Sequence, residues 1–383
     1  MFSRDTNYRM TGGLPIASAR GVRRHLGVDT AVIETPMTPK AAARLAPGCG
    51  VVLQRDGRQE FSGLVAGELK IGFDENSNPL IKAQLVGDNV HIEDRLVYPD
   101  HTRAGDQQTT FDYWTYNGPA SSAIWELINE QVGPDARPER RLPALYMGAD
   151  PGVGTSRPWR NQFVSVMTAC AEISGLSTPN LGVRMTSTPD GLRADVYVPR
   201  DLSDQVRFSA DLSNLEGFSY TQIPPSVTDA IVAGQGDLRA RLRRTASTTN
   251  PLDLRWGRRI ERYIDRRDES DQAQLTLYAQ DAIAEGAGQV SLSCDLSDSQ
   301  AARYGRDWNL GDRITVYVGL RAFTKAAIVR DIVRQVEFEV RADGAEKFRP
   351  AIGGTDASAQ IPGPTQKTLA QIGRRLETLE TRK

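Results

Sequence analysis

Two stretches with a similar pattern decide the fold: GCGVVLQRDGRQEFSGLVAGELK at residues 48–70 and GDRITVYVGLRAFTKAAIVRDIV at residues 311–333. Each begins at a glycine turn, continues through alternating β-type residues, turns, and returns through an aromatic residue into small residues and valine. This pattern predicts an antiparallel strand pair in both places. Either a β domain is duplicated, or two unrelated β-meanders share a loose pattern.

A longer alignment extends the likeness over residues 48–87 and 311–353. It matches Val51 with Ile314, Leu53 with Val316, Val65 with Ile328, and Leu85-Val86-Gly87 with Ala351-Ile352-Gly353. If the domain is duplicated, three chains would present six similar domains, and these could form a ring that matches a six-fold partner.

The remaining pattern predicts strands at both ends and a mixed middle. Residues 1–111 contain further short β-branched runs separated by turn signals such as Asp56-Gly57. Helices are predicted over 121–133 and 161–174, with an irregular Pro/Gly/Arg-rich segment at 134–160. A hairpin is predicted over 181–198, turning at Pro189-Asp190-Gly191.

After residue 206 the chain is predicted to be mostly β. Runs including LRARLRR (238–244) indicate strands, residues 270–285 indicate a helix, and a last hairpin turns at Asp343-Gly344. The predicted class is α+β and mainly β, with two small β-barrel domains, inserted α+β domains and a short C-terminal helix. The predicted domains are a first barrel (1–111), an α+β insertion (112–205), a β-rich linking segment with a helix (206–289), a second barrel (290–354), and a linker with a heptad helix (355–383).

The C-terminal segment carries a short heptad pattern. After the linker-like IPGPTQ, apolar residues recur at spacings of three, four and three: Leu369, Ile372, Leu376 and Leu379. So short a helix is marginal alone in water, so we expect it to form a trimeric coiled coil with other copies. The alternative is an amphipathic helix folded back on its own domain.

Composition excludes several classes of protein. The formal net charge of −1 argues against a protein that coats nucleic acid or an anionic membrane. No segment has the length of a membrane span or the apolar core of a signal peptide. The three cysteines, Cys49, Cys170 and Cys294, lie in no disulfide or metal pattern.

No catalytic, cofactor or metal site can be assigned from the sequence. His25, His91 and His101 lie in no metal-binding motif. The loop GADPGVGTS at 148–156 lacks the lysine of a phosphate loop, and GQG at 234–236 lacks the third glycine of a dinucleotide fingerprint. We therefore expect that the protein is not an enzyme and uses no cofactor.

Arginine is concentrated between residues 239 and 267, where the sequence has ten arginines and only three acidic residues, Asp253, Glu261 and Asp265. Alternation in LRARLRR predicts a strand with one basic face, formed by Arg239, Arg241 and Arg243, and the adjacent Arg244 is counted with them as a candidate contact residue. Such a face could contact an acidic partner or passing DNA. It could equally be solvated or paired within the chain.

The order of segments resembles the tail-hub proteins of long-tailed phages, also called baseplate-hub or tail-associated proteins, and in particular the actinobacteriophage branch of minor tail proteins. The resemblance covers about residues 25–354. It rests on FSGLVAGE from Phe61, EDRLVYPD from Glu93, RNQFVSVMTACAEISGL from Arg160, VRFSADLSNLEGFSY from Val206, VAGQGD from Val232, RRIERYIDRRD from Arg258 and YGRDWNLGDRITVYV from Tyr304.

The resemblance implies a structural virion protein: a homotrimeric hub at the tail tip, assembled in the host cytoplasm. Such a hub caps the tail tube, adapts three-fold to six-fold symmetry and forms the channel for DNA ejection. Implied partners are the distal tail ring and tail tube proteins, the tape-measure protein, and tail-tip or receptor-binding proteins. Some hubs add a fibre or lysozyme-like domain, whereas this sequence stops after the heptad. The alternatives are the hub of a tail-like bacteriocin or injection particle and, less favoured, a tail-associated cell-wall hydrolase.

Overall fold

The structure is a computed structural model. It describes residues 1–73, 77–209, 212, 214–296, 302–318 and 327–353. Contacts divide the chain into two units. Unit 1 comprises Met1–Phe218 and Ser293–Ile352, and unit 2 comprises Ser219–Leu292 and Gly353–Lys383. The chain is mainly β with few helices, which confirms the predicted α+β, mainly β class. The two closed barrels and the domain boundaries stay proposals.

The first hundred residues form antiparallel strands, as the sequence predicts. The elements are β1 (Phe2–Arg4), β2 (Met10–Gly13), β3 (Ser18–Arg24), β4 (Thr30–Pro36), α1 (Pro39–Arg44), β5 (Gly50–Arg55), β6 (Arg58–Phe73) and β7 (Pro79–Gly87). The predicted turn between β5 and β6 has φ of 50° at Asp56 and 74° at Gly57. Two consecutive left-handed residues match the twist of a tight hairpin.

The middle of unit 1 is an α+β body. It contains α2 (Val90–Glu93), a 3₁₀ turn (Gly105–Gln107), β8 (Trp114–Pro119), α3 (Ala120–Gln131), β9 (Leu145–Met147), β10 (Ser156–Asn161), α4 (Val166–Gly175), β11 (Gly182–Thr188) and β12 (Gly191–Tyr197). One apolar cluster joins α3 and α4 to β11 and β12, with Ile124, Leu127 and Cys170 fully buried. The predicted helix in α3 and the hairpin β11–β12 are confirmed.

Two predictions in this body are wrong. Residues 134–160 are not wholly irregular, since β9 pairs with β12 and β10 pairs with β8. The second helix begins at Val166 instead of residue 161, because Asn161 belongs to β10 and Ser165 caps the helix by accepting a hydrogen bond from the Thr168 N–H. Strands this short have no usable periodicity and depend on distant partners.

The rest of the chain adds nine strands and two helices among the described residues: β13 (Arg207–Ser209), β14 (Leu215–Ile223), β15 (Asp229–Ala233), β16 (Arg243–Ser247), α5 (Pro251–Leu254), β17 (Glu261–Asp265), α6 (Gln272–Glu285), β18 (Gln289–Leu296), β19 (Arg313–Val318), β20 (Ala327–Arg341) and β21 (Glu346–Gly353). In unit 2, α6 packs Leu275 and Ala279 against Ala230 and Val232 of the sheet β16-β15-β17. The predicted helix over 270–285 and the hairpin β20–β21 are confirmed.

The large sheet contains the same strand order twice. Its order is β14-β18-β21-β20-β3-β4-β7-β6-β5-β1-β2, and β19 pairs with β20 and β13. The first group is therefore β3-β4-β7-β6-β5, and the second is β14-β18-β21-β20-β19. The equivalent strands also follow one another in the same order along the chain. The one difference is an insertion at residues 224–288, which include β15, β16 and β17, between β14 and β18. The β20–β3 pairing joins the groups edge to edge.

The pairing register corrects the sequence alignment. Val51 lies opposite Gly63, and Ile314 lies opposite Asp331, so Val65 corresponds to Val333, two residues further along each strand. Both valines are buried, whereas Ile328 is 51% exposed. The predicted match of Val65 with Ile328 is wrong because residues 56–57 connect β5 to β6, whereas the longer segment 319–326 connects β19 to β20. The predicted match of Leu85 with Ala351 is off by one residue, because Leu85 lies opposite Val65 and Ile352 lies opposite Val333.

The two long strands also share an irregularity. The register shifts between Val65 and Leu69 in β6, and between Val333 and Gln335 in β20. A bulge inside an antiparallel strand bends it and increases its twist. In both groups the pairing with β5 or β19 ends before the bulge, whereas the pairing with β7 or β21 continues beyond it.

Candidate assembly surfaces

The second half of β6 has one open edge. Gly63 pairs with Val51 of β5 and with Gly87 of β7, so β5 and β7 lie on opposite sides of β6. Pairing with β5 ends at Leu64, whereas pairing with β7 continues to Phe73. Among the described residues, no strand covers the β5 side of β6 beyond Leu64.

The open edge carries exposed apolar side chains. Ile71 is 58% exposed and Phe73 is 77% exposed. An unpaired strand edge with apolar residues can pair with another chain, and proteins commonly protect such edges. Nothing in the sequence marked these two residues as different from the other apolar residues of the strand.

The corresponding half of β20 is covered. On β7, Ile81 lies four residues before Leu85 and pairs with Ile71 of β6. On β21, Phe348 lies four residues before Ile352, the equivalent of Leu85, and pairs with Phe338 of β20. Ile71 and Phe338 are therefore equivalent. Phe338 is only 5% exposed. Phe338 packs over Gly21 of β3 and against the Phe61 ring, and β3 pairs with β20 from Gln335 to Arg341 on the side that stays open in β6.

The arginine-rich segment does not form the predicted strand. Leu238–Ala240 is a single 3₁₀ turn, and β16 begins only at Arg243. The left-handed residues Gly236 (φ 105°) and Leu238 (φ 44°) bend the chain here, which breaks the alternation. The prediction of one continuous basic strand face is therefore wrong.

The four arginines also differ from one another in their contacts. Arg241 is 10% exposed, pairs with Asp265, and donates to the carbonyl oxygens of Gly234 (2.8 Å) and Ala233 (3.0 Å). This pairing with Arg241 lowers the pKa of Asp265.

Arg243 donates to the Leu238 carbonyl at 2.8 Å, Arg244 donates to Gln272, and Arg239 is exposed. Within this set Arg241 is held inside unit 2. A role for these arginines in binding a partner or DNA stays a prediction.

The predicted coiled-coil residues Leu369, Ile372, Leu376 and Leu379 lie outside the described residues. Cys294 also lies where no side chain is described, whereas Cys49 and Cys170 are free thiols. Among the described residues, no helix is long and apolar enough to cross a membrane.

All three histidines contact protein groups. The His25 ring lies 3.1 Å from the Tyr197 hydroxyl, His91 lies 2.8 Å from the Tyr8 hydroxyl, and His101 lies 3.4 Å from Glu130. Burial lowers the pKa of His25 to about 4. The described residues contain no group of three or more His, Cys, Asp or Glu side chains that could hold a metal ion.

The glycine-rich loop at 148–156 is built around a carboxylate. Asp150 accepts hydrogen bonds from the Ser121 hydroxyl and the Gly152 N–H, both at 3.0 Å. The loop leads into strand β10, whereas a phosphate loop leads into a helix. The carboxylate would repel a phosphate, and the element that follows the loop is a strand, so the loop is not suited to phosphate binding.

A buried ion pair ties β1 to the first β group. Arg4 pairs with Asp88, and their side chains are 0% and 1% exposed. The Arg4 guanidinium also donates to the Ser62 hydroxyl at 2.9 Å, and this hydroxyl donates to Asp88 at 2.6 Å. A side chain at Gly50 would overlap Arg4, so this glycine provides the space for the guanidinium stem.

A polar cleft of about 570 Å³ lies within unit 1, between the first β group and strands β11 and β12. Its lining includes the ion pair of Arg200 with Asp312 and Asp29, whose side chain is 14% exposed. Burial raises the pKa of Asp29 to about 6. Cations and carboxylates are mixed in this lining, so the cleft presents no surface of one charge to a ligand.

A family model and several solved structures are similar to this chain. The family model of the siphovirus ReqiPepy6 Gp37-like proteins matches residues 4–354. No curated protein matches the sequence. Among solved structures, the fold is similar to a tail protein from Neisseria meningitidis MC58 (11% identity, TM-score 0.53, covering 90% of this chain and 94% of that chain).

Two further structures share the fold. The prophage MuSo2 43 kDa tail protein from Shewanella oneidensis has 10% identity and a TM-score of 0.52, covering 90% of this chain and 95% of that chain. The prophage tail protein gp18 from Listeria monocytogenes EGD-e has 10% identity and a TM-score of 0.50, covering 98% and 99%. At such low identities the likeness concerns the fold alone.

Proposed function

Because the chain belongs to the family of siphovirus ReqiPepy6 Gp37-like proteins, a phage tail family, we propose that it is the homotrimeric hub of a phage tail. In this role it caps the tail tube at the tip, adapts three-fold to six-fold symmetry, and forms part of the channel through which DNA leaves. Membership of the actinobacteriophage branch is part of the proposal.

The repeated strand order is the observation that carries this proposal. One chain contains two groups, β3-β4-β7-β6-β5 and β14-β18-β21-β20-β19, joined edge to edge. A head-to-tail contact of this kind, repeated between chains, closes into a ring if the rotation allows it. Three chains with two groups each give six similar positions, which suits a six-fold tube.

The proposed partners follow from this position. The ring of six would contact the distal tail ring or tube protein, and the tape-measure protein would end at the channel. The segment with Leu369, Ile372, Leu376 and Leu379 would meet on the three-fold axis and anchor tail-tip or receptor-binding proteins.

Labelling of intact particles tests the location. An antibody raised against unit 2, coupled to gold, should mark the tail tip of negatively stained virions. A label distributed along the tail tube or on the capsid would contradict the hub. A label on tailed particles without a capsid would favour the alternative, a tail-like bacteriocin or injection particle.

A second alternative, a tail-associated cell-wall hydrolase, is disfavoured because the matches are to structural tail proteins. A zymogram on peptidoglycan separates the two. We expect no clearing from the purified chain, whereas a cleared band abolished by one Asp or Glu substitution would show that the protein is a hydrolase.

A further inference from the structure

We propose that the open edge of β6, from Leu69 to Phe73, pairs antiparallel with the outer edge of β14 in a second copy of this chain. This inference rests on the proposed trimeric ring and names the contact that would close it. The partner is another copy of the same protein, and no other tail component is needed for this contact.

The template for this contact lies within the chain itself. The second half of β20 pairs with β3, from Gln335 opposite Arg24 to Arg341 opposite Ser18. In the repeat, β6 corresponds to β20 and β14 corresponds to β3. Among the described residues, the chain therefore makes this contact once internally, and the β6 edge and the outer edge of β14, the two halves of a second such contact, have no partner strand.

Both edges are available and long enough. Among the described strands, β14 stands at one end of the sheet order with β18 as its single neighbour. It has nine residues, and the β6 edge from Leu69 to Phe73 has five, so the new contact would be two pairs shorter than the seven pairs of the internal β20–β3 contact. Pairing would give the exposed β6 backbone hydrogen-bonding partners.

The apolar residues identify the covered face. Ile71 occupies the position of Phe338, which is buried once β3 is in place. By the same spacing, Phe73 occupies the position of Val340. Phe338 is buried and Val340 is half-buried, so a strand from a second copy would bury Ile71 and partly cover Phe73, the two most exposed large apolar side chains of β6.

The alternative of a symmetric β6–β6 contact is less favourable. It would pair two copies around a two-fold axis and leave both β14 edges uncovered. A β6–β14 contact is head to tail, uses the β6 edge and the β14 edge of every copy, and can close with three copies.

Substitution on the edge gives the first test. Ile71→Asp combined with Phe73→Asp should weaken self-association of the full chain about tenfold or more, because two apolar side chains would lose their burial. The matched control is Leu254→Asp, which changes a side chain of similar exposure (59%) in unit 2 and should leave association unchanged. Circular dichroism confirms that each variant is folded.

Disulfide trapping gives the second test, in a background where the three native cysteines are alanine. Ile71→Cys is combined in turn with Ser219→Cys, Tyr220→Cys and Thr221→Cys. One combination should give covalent dimers and trimers under oxidation. The positive control is Val22→Cys with Glu337→Cys, two residues directly opposite in the internal contact, which should cross-link without increasing the mass.

The outcomes separate this inference from the proposed function. A trimer that shows neither β6–β14 cross-links nor sensitivity to the aspartates would overturn the β6 contact and leave the ring in place. Cross-linked dimers from Ile71→Cys alone would show the symmetric contact instead. A chain that stays monomeric or dimeric and gives no cross-links would overturn both.

Discussion

Replacing Arg4 by methionine should strongly destabilise the folded protein. Methionine fills much of the arginine's volume, so the main loss is electrostatic: Asp88 would remain buried without its cation, with the Ser62 hydroxyl still donating to it. Removing one partner of a buried ion pair costs about 3–5 kcal/mol. For a large domain this corresponds to a fall in the thermal midpoint of about 6–10 °C.

A double variant isolates the cause. Asp88→Asn added to Arg4→Met removes both charges, so the double variant should be less destabilised than Arg4→Met alone. The control is Arg341→Met, which breaks an exposed pair with Glu339 and should leave the midpoint unchanged. Urea denaturation followed by circular dichroism measures all three. If Arg4→Met costs no more than Arg341→Met, the reasoning is refuted.

Three further predictions concern unit 2, pH and the C-terminal segment. Arg241→Met should lower the calorimetric midpoint and Arg243→Met should not, because Arg241 holds Asp265 and two carbonyls; equal midpoints would contradict this. The pKa of His25 is lowered to about 4 in the folded protein, so between pH 6.5 and 4 this histidine stays neutral in the fold but is protonated in the unfolded chain. The free energy of unfolding of the wild type should therefore fall as the pH drops from about 6.5 to 4, and it should fall less in His25→Gln. Parallel pH profiles would show that His25 is not responsible. Leu376→Asp with Leu379→Asp should weaken the trimer without abolishing it, as measured by sedimentation, because the β contacts bury more area than a short coil.

Local sequence signals predicted the elements that close on themselves. The hairpin β11–β12 needs only its Pro189-Asp190-Gly191 turn and alternating residues, and its register matches that expectation. The helix α6 has its own cap, because Asp271 accepts a hydrogen bond from the Ala273 N–H. Where a segment carries its own turn or cap, the sequence is sufficient.

Elements that depend on distant partners were missed. The three residues of β9 form a strand only because β12 lies beside them. The alternation of LRARLRR favoured a strand, yet the backbone turns at Gly236 and Leu238 and forms a 3₁₀ turn instead. Periodicity carries no information about such tertiary contacts.

The repeat was found in the sequence, but its register was not. Alternating sequences align almost equally well at several offsets. The segment 319–326 also changes the number of residues between the first and second strands of the second copy. Only the pairing of Val51 with Gly63 and of Ile314 with Asp331 sets the correct equivalence. The open edge of β6 followed from that equivalence, since Ile71 differs from Phe338 in what covers it and not in its local pattern.

The central claim is that three copies of this chain form the ring. Light scattering coupled to size-exclusion chromatography, at micromolar concentration, measures this directly. We expect a particle of three times the 42.1 kDa chain mass. A stable dimer, or a chain that remains monomeric both in solution and within the particle, would contradict it.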